Sequence, residues 1–229
     1  MELQGKIAFI TGGASGLGLA TAKNFVKAGA RVFLYDLNAE ALEAAASELG
    51  ESVVWHAGDV ADEDAVKAAI AKAQQAFGTI HVNVNSAGIG GAARTVGKDG
   101  AMPLARFEHI VRVNLIGTFN VLRLCAEVMQ LNEPQTEDNE RGVIINVASI
   151  AAFDGQTGQA GYAASKGGIV AMTLPIARDL AKRGMRVMTV APGVFETPLL
   201  ARAPGEVRKP LIAITQFPKR LGNPEEFAA

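Results

Sequence analysis

Only one cysteine, one tryptophan and two tyrosines occur among the 229 residues, and aromatics make up 6 % of the chain. A single cysteine rules out an intrachain disulfide. Cys125 sits in an apolar stretch, residues 120–129, where a buried thiol is expected. Long hydrophobic runs are missing too. None approaches the ~20 residues that a bilayer-spanning helix needs, so no membrane partner is expected. The amino end runs straight into an apolar strand, without the zones of a signal peptide or the arginine-rich pattern of a transit peptide. That makes the cytoplasm the expected address. Charge of one sign is not in excess: 22 lysines and arginines face 23 aspartates and glutamates, and they lie scattered. No nucleic-acid surface is expected from that balance. The histidines, His56, His81 and His109, stand apart from any ligand or triad spacing, which argues against a metal site and a hydrolytic triad.

What is plentiful is small and apolar: 25 glycines and a hydrophobic share of 49 %. The length fits one α/β domain over 1–229, long enough to bury roughly 70 % of its unfolded surface. Short apolar strands are expected at 6–11, 31–35, 52–56, 80–85, 142–149 and 185–190. Helical spacing marks 17–28, 38–49, 62–77, one long helix over 103–131, and 162–182. Pro175 falls inside the last of these and predicts a kink, because the periodicity continues past it. Strict alternation of strand and helix predicts a Rossmann-type, doubly wound parallel sheet with helices on both faces. Loops at 90–102 and 198–217, rich in glycine, proline and polar residues, are expected to be mobile and to shape a pocket.

The turn after the first strand reads Thr11-Gly12-Gly13-Ala14-Ser15-Gly16-Leu17-Gly18. Bare glycines let a pyrophosphate approach the backbone and expose a helix amino end, whose free N–H groups and dipole favour anions. Asp36 ends the second strand, where a carboxylate accepts hydrogen bonds from both hydroxyls of an adenosine ribose and opposes a 2′-phosphate. NAD rather than NADP is the expected cofactor. Asp59-Val60 and Asn85-Ser86-Ala87-Gly88 close later strands at the same end of the sheet, the end at which such folds bind ligands.

Tyr162 and Lys166 are four apart on a helix and share a face. A phenol titrates near 10 and is a poor base at neutrality. An ammonium at ~4 Å and an effective dielectric of ~20 favours phenolate by roughly 4 kcal/mol, at most about three pKa units. Ser149, thirteen residues upstream, can hold a substrate oxygen while Tyr162 moves the proton. Such a set predicts an enzyme.

The segments TGGASGLG at 11–18, NSAG at 85–88, Ser149 and YAASK at 162–166 together resemble the short-chain dehydrogenase/reductase family, over essentially the whole chain. Longer stretches, including AAFDGQTGQAGYAASKGG and RVMTVAPGVFETPLL, are similar to the type 2 3-hydroxyacyl-CoA dehydrogenases within it. The resemblance implies NAD-dependent, reversible oxidation of a short or branched 3-hydroxyacyl-CoA, with side activity on hydroxysteroids, by a homotetramer. It places cofactor contacts at Ser15, Leu17, Asp36, Asp59, Val60, Ser86, Tyr162, Lys166, Phe195 and Thr197. Pro192-Gly193 begins the segment that covers the nicotinamide. Asn114 matches the fourth catalytic member beside Ser149, Tyr162 and Lys166, at a helix distortion that holds a water. Gln156 and Gln159 are candidates for the substrate pocket.

Ser86 stands where the family has asparagine or cysteine. At the carboxyl end the family continues past the position of Ala229 with the rest of a helix and a seventh strand, so those elements are expected to be missing here. The rival readings are a 3-oxoacyl carrier-protein reductase using NADPH, which Asp36 opposes, and a silent NAD-sensing scaffold, which the intact catalytic set opposes.

Overall fold

Strand β1 (Ile7–Thr11) is buried at every position, as its unbroken apolar run requires. In the computed structural model, which describes residues 1–201, 212–213 and 215–229, it stands at the middle of the sheet. After β1 come α1 (Gly16–Lys27), β2 (Arg31–Asp36), α2 (Ala39–Leu49), β3 (Val53–Ala57), α3 (Glu63–Phe77) and β4 (Val82–Asn85). A two-residue-arm hairpin, β5 (Val96–Gly97) and β6 (Gly100–Ala101), leads to α4 (Leu104–Val111), a π-turn (Arg112–Ile116) and α5 (Gly117–Met129). Then follow β7 (Gly142–Val147), α6 (Ala160–Ala181), β8 (Met185–Val190), α7 (Pro198–Ala201) and α8 (Pro224–Ala228).

The main sheet runs β3-β2-β1-β4-β7-β8, all parallel. The order reverses between β1 and β4, and the crevice there opens at the carboxyl ends of the strands. Alternation along each strand builds two cores. Phe9, Phe33 and Tyr35 face Val66, Ile70, Val121 and Met129 of α3 and α5. Ile10, Val32 and Leu34 face Ala22, Leu42 and Ala45 of α1 and α2 on the other side. Phe9 and Phe33 are register partners, and their rings stack at 5.1 Å.

Capping separates one helix from its neighbours. Asn38 accepts from Ala41 N at the start of α2, and Asp62 accepts from Asp64 N and Ala65 N at the start of α3. At the start of α1, Ser15 makes no side-chain capping bond, so its N–H groups stay available.

Two expectations change in detail, and the continuation past Pro175 holds. The helix read over 103–131 is two helices joined by the π-turn around Asn114; apolar spacing runs through the break and hides it. The loop at 90–102 contains the β5–β6 hairpin. Helix α6 runs on through Pro175. At the far edge, among the described residues, β8 pairs with β7 alone, and Met188 and Val190 are 43 % and 38 % exposed there. Most of the loop read at 198–217, residues 202–211 and 214, lies outside the described residues. Among the described residues no helix is long and apolar enough to cross a membrane.

Candidate active site

A cleft of ≈ 630 Å³ opens along the carboxyl ends of the strands. It brings together Gly12, Ser15, Gly16 and Leu17 of the first turn, Asp36, Asp59 and Val60, then Ser86, Ala87 and Gly88. Ser149, Gln156, Gln159, Tyr162, Lys166, Pro192, Phe195 and Thr197 line the remainder. Gly18 and Asn114 stand behind its wall rather than on it.

The glycine turn is built for close approach. Gly12 has φ 65°, and a Cβ there would lie 2.8 Å from Ala87 N. A Cβ on Gly18 would meet Gly12 O at 2.2 Å, so only glycine lets α1 start this close beneath the turn. Thr11 joins the two switch-point strands, its Oγ1 accepting from Ser86 N and Ala87 N at 3.1 Å each. Sequence reasoning missed that role because its partners are 75 residues away. Asp36 spans the turn: Oδ2 accepts from Ala14 N at 3.3 Å and Oδ1 from Asn38 N at 3.1 Å. Asp59 Oδ1 accepts from Ala61 N at 2.8 Å, and Asp59 O accepts from the buried Tyr35 hydroxyl at 3.1 Å. Burial, then Asp59 and Asp62, push the Tyr35 phenol far above its ordinary value. Asn120 Nδ2 donates to Val60 O at 2.9 Å and fixes the next wall.

Below the cleft floor three buried asparagines tie β4 to β7. Asn85 Nδ2 donates to Asn83 Oδ1 at 2.7 Å and to Asn146 Oδ1 at 2.9 Å. Among the described residues Asn146 Nδ2 is buried without a hydrogen-bond partner.

The chemical residues gather where β7 ends. Ser149 lies two residues past Val147 in extended backbone and caps a 3₁₀ turn, its Oγ accepting from Ala151 N at 3.2 Å. Lys166 is 5 % exposed; its Nζ donates to Val147 O at 2.7 Å and stands 5.8 Å from the centre of the Tyr162 ring. Burial pulls the lysine down from 10.5 to about 8. Burial also raises the Tyr162 phenol, and the hydrogen bond with Ser149 partly opposes that rise. The sequence reading, in which the ammonium lowers the phenol, is therefore corrected for the protein without ligand. Lys166 gives one of its N–H donors to Val147 O, and desolvation dominates at the tyrosine.

Asn114 is wholly engaged. Its Oδ1 accepts from Ile89 N at 2.8 Å; its Nδ2 donates to Ile89 O and to Ser165 Oγ, each at 3.0 Å. Ser165 Oγ in turn donates to Tyr162 O at 2.7 Å. A Cβ on Gly88 would sit 3.1 Å from Asn114 Oδ1 and 3.5 Å from Lys166 Nζ, so this glycine leaves room for both. Thr118 Oγ1 donates to Asn114 O at 2.7 Å inside the distorted turn.

A covering segment completes the site. Ile150 N donates to Pro192 O at 3.0 Å, Phe195 bridges to Gly222, and Thr197 lies over the glycine turn, 3.4 Å from a Cβ built on Gly16. Ile89, Gly90, Leu199, Leu200 and Asp154 also line the cleft; as apolar or isolated loop residues they carried no chemical signal in the sequence. The bare turn, the uncapped start of α1 and the carboxylate of Asp36 fit a dinucleotide.

Comparisons with known proteins agree with that geometry. Residues 6–206 match the model of the short chain dehydrogenase family. The chain is 54 % identical over 229 residues to 3-hydroxyacyl-CoA dehydrogenase type-2 of Bos taurus, covering 99 % of this chain and 87 % of that protein. It is 48 % identical to the Drosophila melanogaster protein of the same name, over 99 % of this chain and 89 % of the relative. Among solved structures, 3-hydroxyacyl-CoA dehydrogenase type-2 from Mycobacterium avium superposes with TM-score 0.90 at 41 % identity, covering 98 % and 87 % of the two chains. A 3-ketoacyl-(acyl-carrier-protein) reductase from Brucella melitensis complexed with NADH gives 0.86 at 34 % identity, over 99 % and 88 %.

Proposed function

The chain belongs to the short-chain dehydrogenases, and from that premise we propose that it is an NAD-dependent 3-hydroxyacyl-CoA dehydrogenase. The observation that carries the proposal is one cleft holding Asp36 at one end and Ser149, Tyr162 and Lys166 at the other. Relatives of that name at about half identity support the substrate class. NAD, when bound, supplies the hydride acceptor.

The chain's own residues do the rest. Asp36 takes the adenosine ribose, and its charge opposes a 2′-phosphate. Gly12, Ser15 and Gly16 with the start of α1 receive the pyrophosphate. Ser86, Ala87 and Gly88 floor the site, and Lys166 reaches the second ribose. Pro192, Phe195 and Thr197 cover the nicotinamide and exclude water. Ser149 holds the substrate hydroxyl, and Tyr162 removes its proton as the substrate carbon is oxidised. Asn114 keeps the π-turn open behind Lys166, where a water can relay the proton outward.

The test is the initial rate of NADH formation from 3-hydroxybutyryl-CoA, its 2-methyl homologue and a hydroxysteroid, with NAD and with NADP. Fast turnover of a thioester with NAD is expected. Tyr162→Phe should lower kcat by about 10²–10⁴-fold while cofactor binding persists. A variant within a few-fold of the parent, or a preference for NADP, would refute the assignments.

A further inference from the structure

Tyr35 closes the core-facing row of β2 and is 0 % exposed. Its ring packs on Phe9 at 5.9 Å and stacks on His56, its register partner on β3, at 6.4 Å. A leucine or phenylalanine would fill that place without a polar atom, and a buried hydroxyl costs free energy unless it is bonded. The chain makes room for this one. A Cβ on Gly58 would lie 2.4 Å from the Tyr35 hydroxyl oxygen, and Gly58 is not in the left-handed region, so space rather than conformation calls for glycine there.

Through that gap the hydroxyl donates to Asp59 O at 3.1 Å. Asp62 N already donates to the same oxygen, also at 3.1 Å, so the phenol is not needed to satisfy it. What the second bond adds is a tie between the Asp59 peptide and β2. Gly58 N makes a parallel tie, donating to Asp36 O at 2.9 Å, and Tyr35 O accepts from Gly13 N at 3.4 Å. The glycine turn, Asp36 and the turn at 58–60 are thus fixed to the end of one strand, and all three line the nucleotide end of the cleft.

Asp59 is held at one carboxylate oxygen, Oδ1 accepting from Ala61 N at 2.8 Å, which leaves Oδ2 for a donor in the cleft. An ionised carboxylate only accepts, so the base edge that suits it is one that carries an amine. Burial, then Asp59 and Asp62, hold the Tyr35 phenol far above its ordinary value, so it stays protonated and keeps donating at any working pH.

We infer that Tyr35 is a positioning residue of the nucleotide end: its hydroxyl, in the space that Gly58 leaves, sets the Asp59 peptide so that Oδ2 receives a purine 6-amino group. The inference rests on the dinucleotide part of the reading above and not on the acyl substrate. A 6-oxo purine turns an acceptor toward the same oxygen and is repelled. Removing the hydroxyl lets the turn tilt, so the choice between the two purines weakens while the core stays filled.

The probes are NADH and reduced nicotinamide hypoxanthine dinucleotide, which differ only at the purine 6 position and its N1 proton, each titrated by its own fluorescence. The wild type should bind NADH about 30-fold more tightly. Tyr35→Phe should weaken NADH about fivefold and the oxo analogue hardly at all, so the ratio falls by the same factor. Gly58→Ala drives a methyl against the hydroxyl. It should act likewise in the parent and much less in Tyr35→Leu, where there is no hydroxyl to displace. Thermal melts check that each variant is folded, and Gly58→Ala carries the test if Tyr35→Phe is not.

Folded variants with an unchanged ratio would overturn the inference. So would an equal loss of both dinucleotides, the mark of a hydroxyl that only braces the turn. A wild type that binds both purines alike would overturn the part given to Asp59 and the inference with it, and leave the dinucleotide reading standing. A wild type that binds neither would overturn that reading as well.

Discussion

Lys166 offers a prediction that does not depend on turnover. Its amine is buried in the native protein, and burial lowers it from 10.5 to about 8. A drop of roughly 2.5 units at ~1.4 kcal/mol per unit is about 3 kcal/mol of native-state cost. The sign follows from proton counting. Between pH 8 and 10.5 the unfolded chain holds a proton on this amine that the native chain has released, so stability rises with pH across that window. Below pH 8 both states are protonated and the cost is present in full; above 10.5 it is gone. Lys166→Met removes the group and with it this part of the pH dependence, although it also strips Val147 O of its 2.7 Å partner. Denaturant unfolding of wild type and Lys166→Met at half-unit steps from pH 7 to 10.5 gives the difference in stability at each pH, from which other groups cancel. The wild type should gain on the variant by about 1 kcal/mol per pH unit above 8. A difference that stays flat over the window would show that the amine is solvated in the native state and that the burial argument is wrong.

Other perturbations have signs that the structure decides. Alanine in place of a helical glycine is ordinarily stabilising by ~1 kcal/mol, but at Gly18 the added carbon meets Gly12 O at 2.2 Å. Gly18→Ala should therefore destabilise by about 3 kcal/mol and abolish NAD binding, as thermal melts and NADH fluorescence will read. His81 accepts the Ile7 N–H on Nδ1 at 3.2 Å, and burial, then Lys6, lowers its pKa. Its native pKa lies below the unfolded one, so its contribution is complete above pH ~6.5 and is lost as pH falls from there through the lower native value. The acid slope of stability should be shallower in His81→Gln, and equal slopes would remove His81 from the account.

The parts of the site that could be read along the chain are those whose signal is local. The glycine turn, Asp36 eighteen residues beyond it, and the Tyr162–Lys166 spacing each declare a geometry within one strand–helix unit, and the cleft holds them together. The π-turn could not be read from periodicity, because Val113 and Val121 continue the apolar stripe across it. What sustains the distortion is Asn114 bonding to Ile89 and Ser165, 25 and 51 residues away. The bonds of Thr11 and of the Asn83–Asn85–Asn146 ladder escaped notice for the same reason. Each looks like an ordinary strand polar residue until the register of β4 against β1 and β7 is known. Charge state was the other blind spot: spacing placed Lys166 near Tyr162 but said nothing of how deeply either is buried.

That blind spot bears on how the tyrosine is activated. The chain has two tyrosines, and burial raises both phenols, Tyr35 beyond Tyr162's reach because Asp59 and Asp62 add to its desolvation. Ser149 alone works in the other direction on Tyr162. Two ordinary phenols titrating near 10 would give about one phenolate per chain at pH 10. The folded protein should show less than that in the tyrosinate absorbance near 295 nm, with far-ultraviolet circular dichroism checking that it is still folded. Tyr162→Phe should then remove less than half a phenolate at pH 10, whereas the unfolded chain in denaturant should recover the full amplitude. One phenolate at pH 10 in the folded wild type, lost in Tyr162→Phe, would mean that the lysine does hold the phenol low without any ligand. The expected absence would leave the hydrogen bond with Ser149 as the influence that lowers the phenol against its desolvation.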